Sequence, residues 1–159
     1  MIKQVARDEL QICLEVIHTS FQTVAKEFGL TMENCPGHTS FMPLERLERE
    51  FDWGNLMFAY VKDDEYIGFF SLRKTDETSC ELHQLAVLPQ YRHLGIGRAL
   101  VEYAKHVAAD ILHMKKIKIG IIDESRVLKT WYEQLGFVQT GMHKFDHLPF
   151  TVGFLELSI

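Results

Sequence analysis

The stretch from Glu81 to Asp123 constrains the architecture more than any other part of this chain. It opens with ELHQLAVLP, a strand-like run closed by Pro89, and ends with KIKIGIID, a second strand-like run. Between them Ile96, Ala99, Leu100, Tyr103, Ala104, Val107, Ala108, Ile111 and Leu112 repeat at helical spacing, which predicts one helix through Leu112. A strand, a helix and a strand in this order form a crossover unit, which brings the two strands parallel. The flanks read differently. LMFAYVK, a turn at Asp63-Asp64 and YIGFFSLRK predict a hairpin before the unit. After it, VLKTWYEQLGF reads as a short helix stopped by Gly136, and FVQTGMHKF and FTVGFLELSI as two strands around a turn near His147 to Pro149.

Toward the start of the chain, Leu10, Cys13, Leu14, Ile17, Phe21, Val24, Ala25 and Phe28 form a helical stripe. Asp8 stands where a cap is expected, Gln11 completes a capping box, and Gly29 is the stop. The aperiodic LTMENCPGHTSFMP is a loop, and a short helix is expected from Leu44 to about Phe51. The full order is strand, helix, helix, three strands, helix, strand, helix, two strands. The expected fold class is α/β: a mixed, mostly antiparallel sheet flanked by helices, in one domain over residues 1–159.

With 47% hydrophobic and 25% charged residues, the chain has the composition of a globular protein that needs no disulfide staples. Its net charge of −5 argues against a nucleic-acid or anionic-membrane surface. MIKQVARDEL has no apolar leader core, and no run is long enough to cross a bilayer. Cys13, Cys35 and Cys80, odd in number and far apart, make neither a disulfide framework nor a zinc pattern. The expectation is a reduced, cytoplasmic protein without a metal.

The segment with chemical content is LAVLPQYRHLGIGRAL, residues 85–100. A strand ends at Pro89, a polar loop follows, and a helix begins around Gly95. Gly95 and Gly97 remove side chains where a backbone must approach a ligand. The first N–H groups of a helix have no internal partner and carry partial positive charge. With Arg92 and Arg98 beside them, they suit a pyrophosphate. The segment lacks the Lys-Ser/Thr ending of a nucleotide P-loop and the glycine triplet of dinucleotide folds.

RHLGIG resembles the Arg/Gln-x-x-Gly-x-Gly/Ala signature of the GNAT superfamily of N-acetyltransferases, and the likeness extends through LAVLPQY and RALVEYA. It resumes at Tyr132-Glu133-Gln134-Leu135-Gly136-Phe137, similar to that family's Tyr-x-x-x-Gly-Phe, and the element order agrees across the whole chain. The resemblance implies the GNAT acyl-CoA N-acyltransferase fold, with acetyl-CoA as co-substrate. Leu85, Ala86 and Val87 would then offer backbone groups to the pantetheine arm, lying between splayed strands. Arg92, His93, Leu94, Gly95, Ile96, Gly97 and Arg98 would hold the pyrophosphate. Ser125, where relatives often carry asparagine, would lie along the pantetheine, and His93 stands where many carry glycine. Tyr132 would protonate the departing thiolate.

An amine of pKa ~10.4 is neutral in only roughly one molecule in 2,500 at pH 7, so its proton must be managed. The resemblance offers two candidates, Glu81 and His83, two residues apart and so on one strand face; either could act, directly or through water. The loop from Thr31 to Phe41, with Glu33 and His38, and residues 145–150 would line the acceptor site. His143 and His147 lie four apart but on strand and turn, the wrong context for a metal pair. The expected partner is a small-molecule or peptide amine, and the expected assembly a monomer or homodimer. Two other readings stay open: a silent acyl-CoA sensor of the same fold, and a transferase for another acyl donor.

Overall fold

The structure, a computed structural model, describes residues 1–159. A seven-stranded sheet runs in the order β1-β2-β3-β4-β5-β7-β6. Its strands are β1 (Ile2–Gln4), β2 (Leu56–Lys62), β3 (Glu65–Lys74), β4 (Ser79–Val87), β5 (Lys116–Ile122), β6 (Val138–His143) and β7 (Val152–Ser158). The helices are α1 (Leu10–Phe28), α2 (Leu44–Asp52), α3 (Ile96–His106) and α4 (Arg126–Gln134). Every strand pair is antiparallel except β4 with β5, the pair joined by the α3 crossover, so the expected mixed sheet is present. Asp63 and Asp64 both adopt left-handed backbone (φ 50° and 65°), as a tight β2–β3 hairpin requires.

Two helix boundaries differ from expectation. Asp8 does not cap α1. A 3₁₀ turn at Arg7–Glu9 precedes the helix, and the Glu9 carboxylate accepts the Ala6 N–H at 2.9 Å. Glu9 takes the N-cap position without a side-chain capping bond; its carboxylate instead also bonds Lys3 Nζ at 2.5 Å and the Tyr66 hydroxyl, tying the turn to β1 and β3. The crossover helix also stops early: α3 ends at His106, and Val107–Ile111 forms a π-turn, with Leu112 N donating to Val107 O at 2.9 Å. Helical spacing cannot register such a one-residue change of repeat. Gly29 ends α1 as expected, at φ 64°.

The helices divide between the two faces of the sheet. A Cβ on Gly68 would meet Leu100 Cδ1 at 3.0 Å, so β3 presents Gly68 to α3 and lets it approach closely. Trp131 of α4 packs against Gly97 of α3, placing α4 on that same side. Alternation along β3 then points Ser71 and Arg73 to the opposite face, which α1 and α2 cover.

The functional consequence lies at the centre of the sheet. β4 and β5 pair only at Ser79↔Lys116, Cys80↔Ile117 and Glu81↔Lys118. Beyond Glu81, β4 stays with β3 as far as Val87↔Gly68, whereas β5 stays with β7 as far as Ile122↔Val152. Just past the last shared rung β4 bulges: its register against β3 shifts between Phe69 and Ser71, and Gln84 takes φ 52°. The β5-facing edge of Leu85, Ala86 and Val87 is thereby left without a strand partner.

Candidate active site

After β4 the chain turns through Pro89–Tyr91 and enters α3 at Gly95. His93 and Gly95 both have positive φ (64° and 84°), so the loop coils back on itself before the helix begins. The backbone N–H groups from His93 through Arg98 donate to no carbonyl or side chain of the chain. Such a run of free donors, continuous with a helix N-terminus, has the chemistry to hold an anion. Gly97 serves a second purpose: a Cβ there would lie 3.2 Å from Trp131 Cζ2 and 3.8 Å from Val87 Cγ2. Ile96 contributes backbone only, its side chain being in the core, while His93, Leu94 and Arg98 are exposed.

Arg92 is placed differently from expectation. Its guanidinium donates to Val87 O at 3.1 Å, Thr23 Oγ1 at 3.0 Å and Ser20 O at 2.8 Å. All three acceptors belong to β4 and α1, and burial lowers the Arg92 pKa. The side chain fastens the loop to α1. The sequence could not show this, because Ser20 and Thr23 lie about 70 residues away.

Glu81 and His83 come together. His83 Nε2 lies 2.8 Å from Glu81 Oε2. Since Ser71 and Arg73 pair with His83 and Glu81, both side chains face the α1/α2 side. The bond from His83 holds the Glu81 carboxyl below its usual range, burial opposes this, and the charges of His83, Arg73 and Lys118 reinforce it. A carboxylate accepting from Nε2–H fixes the tautomer and leaves Nδ1 of a neutral ring free to take a proton.

Tyr132 is on the other side. It is buried, edge-on to Trp131 and Phe137, and burial pushes its phenol well up, so it is protonated at neutral pH. Its hydroxyl bonds to no protein group, yet it is not among the fully enclosed polar atoms lacking a partner, so it has access to the outside. Ser125 occupies the N-cap position of α4 but makes no capping bond with its hydroxyl, which is free for another partner.

Residues 22–137 match the acetyltransferase (GNAT) family. The chain belongs to that family. An uncharacterised N-acetyltransferase from Bacillus methanolicus is 28% identical over 83 residues, 46% of this chain and 69% of that protein. The fold resembles the ribosomal-protein-S18-alanine N-acetyltransferase of Escherichia coli, with TM-score 0.77 and 16% identity over 100% of this chain and 93% of that one. It also resembles the PaiA N-acetyltransferase of Thermoplasma acidophilum in complex with coenzyme A, with TM-score 0.76 and 18% identity over 100% and 98% of the two chains.

As a GNAT acetyltransferase, the chain places its free N–H run and Tyr132 on the α3/α4 face and its carboxylate–histidine pair on the α1/α2 face. The β4–β5 opening lies between them. The expected acceptor segments adjoin that second face. His38 sits edge-on to Phe21 and Phe41 with its pKa lowered by burial, Nδ1 accepting from Ser40 N at 3.3 Å, and Glu33 is exposed. Leu148 and Phe150, in the connection between β6 and β7, pack against the small cluster formed by Ala25, Leu30, Cys35 and Ile122. Cys35 is enclosed there and its thiol is pushed up by burial, the opposite of an activated nucleophile. His143 stands edge-on to Phe145, and His147 lies tilted against the same ring. No helix is long and apolar enough to cross a membrane.

Proposed function

We propose that this chain, as one domain over residues 1–159, is an acetyl-CoA-dependent N-acetyltransferase that moves acetyl directly to an amine within a ternary complex. The observation that carries this reading is the parting of β4 from β5, with an anion cradle on one face and a proton-accepting pair on the other. The pyrophosphate of acetyl-CoA fits the N–H groups of His93 to Arg98, with the exposed Arg98 adding charge. The pantetheine arm runs beside the edge of Leu85 to Val87 that lacks a strand partner, where Val87 O is already taken by Arg92, with the Ser125 hydroxyl in reach of its amides. The amine enters from the α1/α2 face and its nitrogen attacks the thioester carbonyl carbon.

The proton lost by the amine goes to His83 Nδ1, directly or through a water, while Glu81 holds the ring and stabilises its charged form. Collapse of the tetrahedral carbon breaks the C–S bond. Because its pKa is raised above that of a thiol, Tyr132 acts chiefly by donating a hydrogen bond to the departing thiolate, which then takes its proton from solvent. The acceptor class that suits this face is a small-molecule or peptide amine.

Thiol release from acetyl-CoA across a panel of polyamines, amino acids and peptide N-termini tests the reading. At least one amine is expected to turn over, with His83→Ala reducing kcat about 100-fold at pH 7 and progressively less above roughly pH 9. Tight acetyl-CoA binding without turnover of any amine would establish the sensor reading instead. A wild-type pH profile in both His83→Ala and Glu81→Gln would remove the pair from proton transfer.

A further inference from the structure

The α1/α2 face holds a buried polar chain that the acetyl-transfer scheme does not use. Glu50 of α2 is only 7% exposed, yet it is a carboxylate. It accepts from Gln84 Nε2, at 3.1 Å to Oε1 and 3.4 Å to Oε2. Gln84 Oε1 in turn accepts from Ser71 Oγ at 2.8 Å, and Ser71 is fully enclosed. The Gln84 amide also lies 4.0 Å from the sulfur of Met42, where the α1–α2 loop ends. Arg46 Nε, 3.6 Å from Glu50, is the cation that accompanies the carboxylate. Burying a carboxylate against an amide is costly, and an apolar residue of similar size would satisfy the packing at less expense.

Gln84 is the residue that makes the β4 bulge. Its positive φ is uncommon for a residue with a side chain, and such a conformation persists only where its surroundings hold it. Both ends of its amide are held here, one by α2 and one by β3. We propose that Glu50 is a positioning residue: through Gln84 it locks the bulge that parts β4 from β5 and presents the backbone of Leu85 to Val87 to the acetyl-bearing arm of the donor. The inference rests on the acetyl-transfer reading. Because Glu50 and Met42 belong to the acceptor side, the same lock joins the acceptor wall to the donor groove.

Three variants test it: Glu50→Gln, which keeps an acceptor for Gln84 Nε2; Glu50→Leu, which removes it; and Gln84→Gly, which tolerates the backbone conformation but cuts the tie. The measurements are acetyl-CoA affinity by calorimetry and amide hydrogen exchange of residues 82–88 without ligand. Glu50→Gln is expected to stay within about twofold of wild type, while Glu50→Leu and Gln84→Gly weaken binding by about tenfold or more and accelerate exchange in β4. The double variant Glu50→Leu/Gln84→Gly should be no worse than the poorer single, since both cut one connection. Wild-type exchange and affinity in folded Glu50→Leu, or additive losses in the double variant, would overturn the lock. Exchange is read without donor, so a wild type that shows the exchange pattern but binds no acetyl-CoA overturns the acetyl-transfer reading and with it the purpose assigned to the lock. If Glu50→Leu does not fold, Glu50→Gln and Gln84→Gly still decide the matter: equal behaviour of the two refutes the proposal.

Discussion

Replacing Arg92 by alanine separates a loop fastener from a phosphate ligand. A hydrogen bond to a charged donor contributes about 1.5–3 kcal/mol, and three such bonds do not add. Of the three acceptors, Ser20 O keeps the Thr23 hydroxyl, which donates to it at 2.8 Å. Thr23 Oγ1 is itself a rotatable hydroxyl, so Val87 O is the acceptor left worst off. The net loss is therefore close to one unreplaced bond, about 2 kcal/mol, or a fall in Tm of about 4–8 °C for a chain of this size. Thermal melting of the protein without any donor measures it. Arg98→Ala should behave oppositely: its side chain is exposed and bonds to nothing, so Tm should hold within about 1 °C. Its acetyl-CoA affinity should fall about tenfold, and less at high salt. An Arg92→Ala protein that melts like wild type and has lost only acetyl-CoA affinity would refute the anchoring role, and would return the guanidinium to the pyrophosphate.

Tyr132→Phe keeps the packing against Trp131 and Phe137 and deletes only the hydroxyl; loss of one hydrogen bond to a developing thiolate should lower kcat about 10- to 100-fold with little change in acetyl-CoA affinity. Full turnover by the variant would make Tyr132 a packing residue. For Glu9, burial alone would raise the carboxyl, but the bonds from Lys3, Tyr66 and the Ala6 N–H bring it from 4.5 down to about 2. A depressed folded pKa gives stability that is complete above pH 4.5 and drains away as the pH falls toward 2. Glu9→Gln should thus be less stable than wild type at pH 7 and indistinguishable from it near pH 2 in urea titrations.

The parts of the site that could be read in the sequence are those whose chemistry is local. A strand ending at Pro89, two glycines and a helix start lie within a few residues, and their joint requirement for free N–H groups is legible from spacing. Glu81 and His83, two apart on a strand, could be placed on one face before any coordinates, and they are bonded. What stayed hidden is held over distance. The partners of Arg92 lie on α1, and Glu50 and Ser71 reach Gln84 from α2 and β3. A glutamine within an otherwise alternating strand gives no sign that it will adopt a left-handed backbone. At the chain's start, Asp8 was the cap expected from spacing, and it was the tertiary neighbours Lys3 and Tyr66, out of reach of any local pattern, that fixed Glu9 in the turn before α1.

Because β4 and β5 share only the rungs from Ser79 to Glu81, the sheet behaves as two leaves on a short spine, β1 to β4 on one side and β5, β7 and β6 on the other. Cys80 and Ile117 form the middle rung, and both are fully enclosed. A change of volume there would rotate one leaf against the other and would be felt most at the open end, several residues away. The angle between leaves thus sets the width of the opening between β4 and β5, and on the proposed acetyl-transfer reading a substitution at Cys80 or Ile117 would change the room for the acyl group without altering any residue of the candidate site.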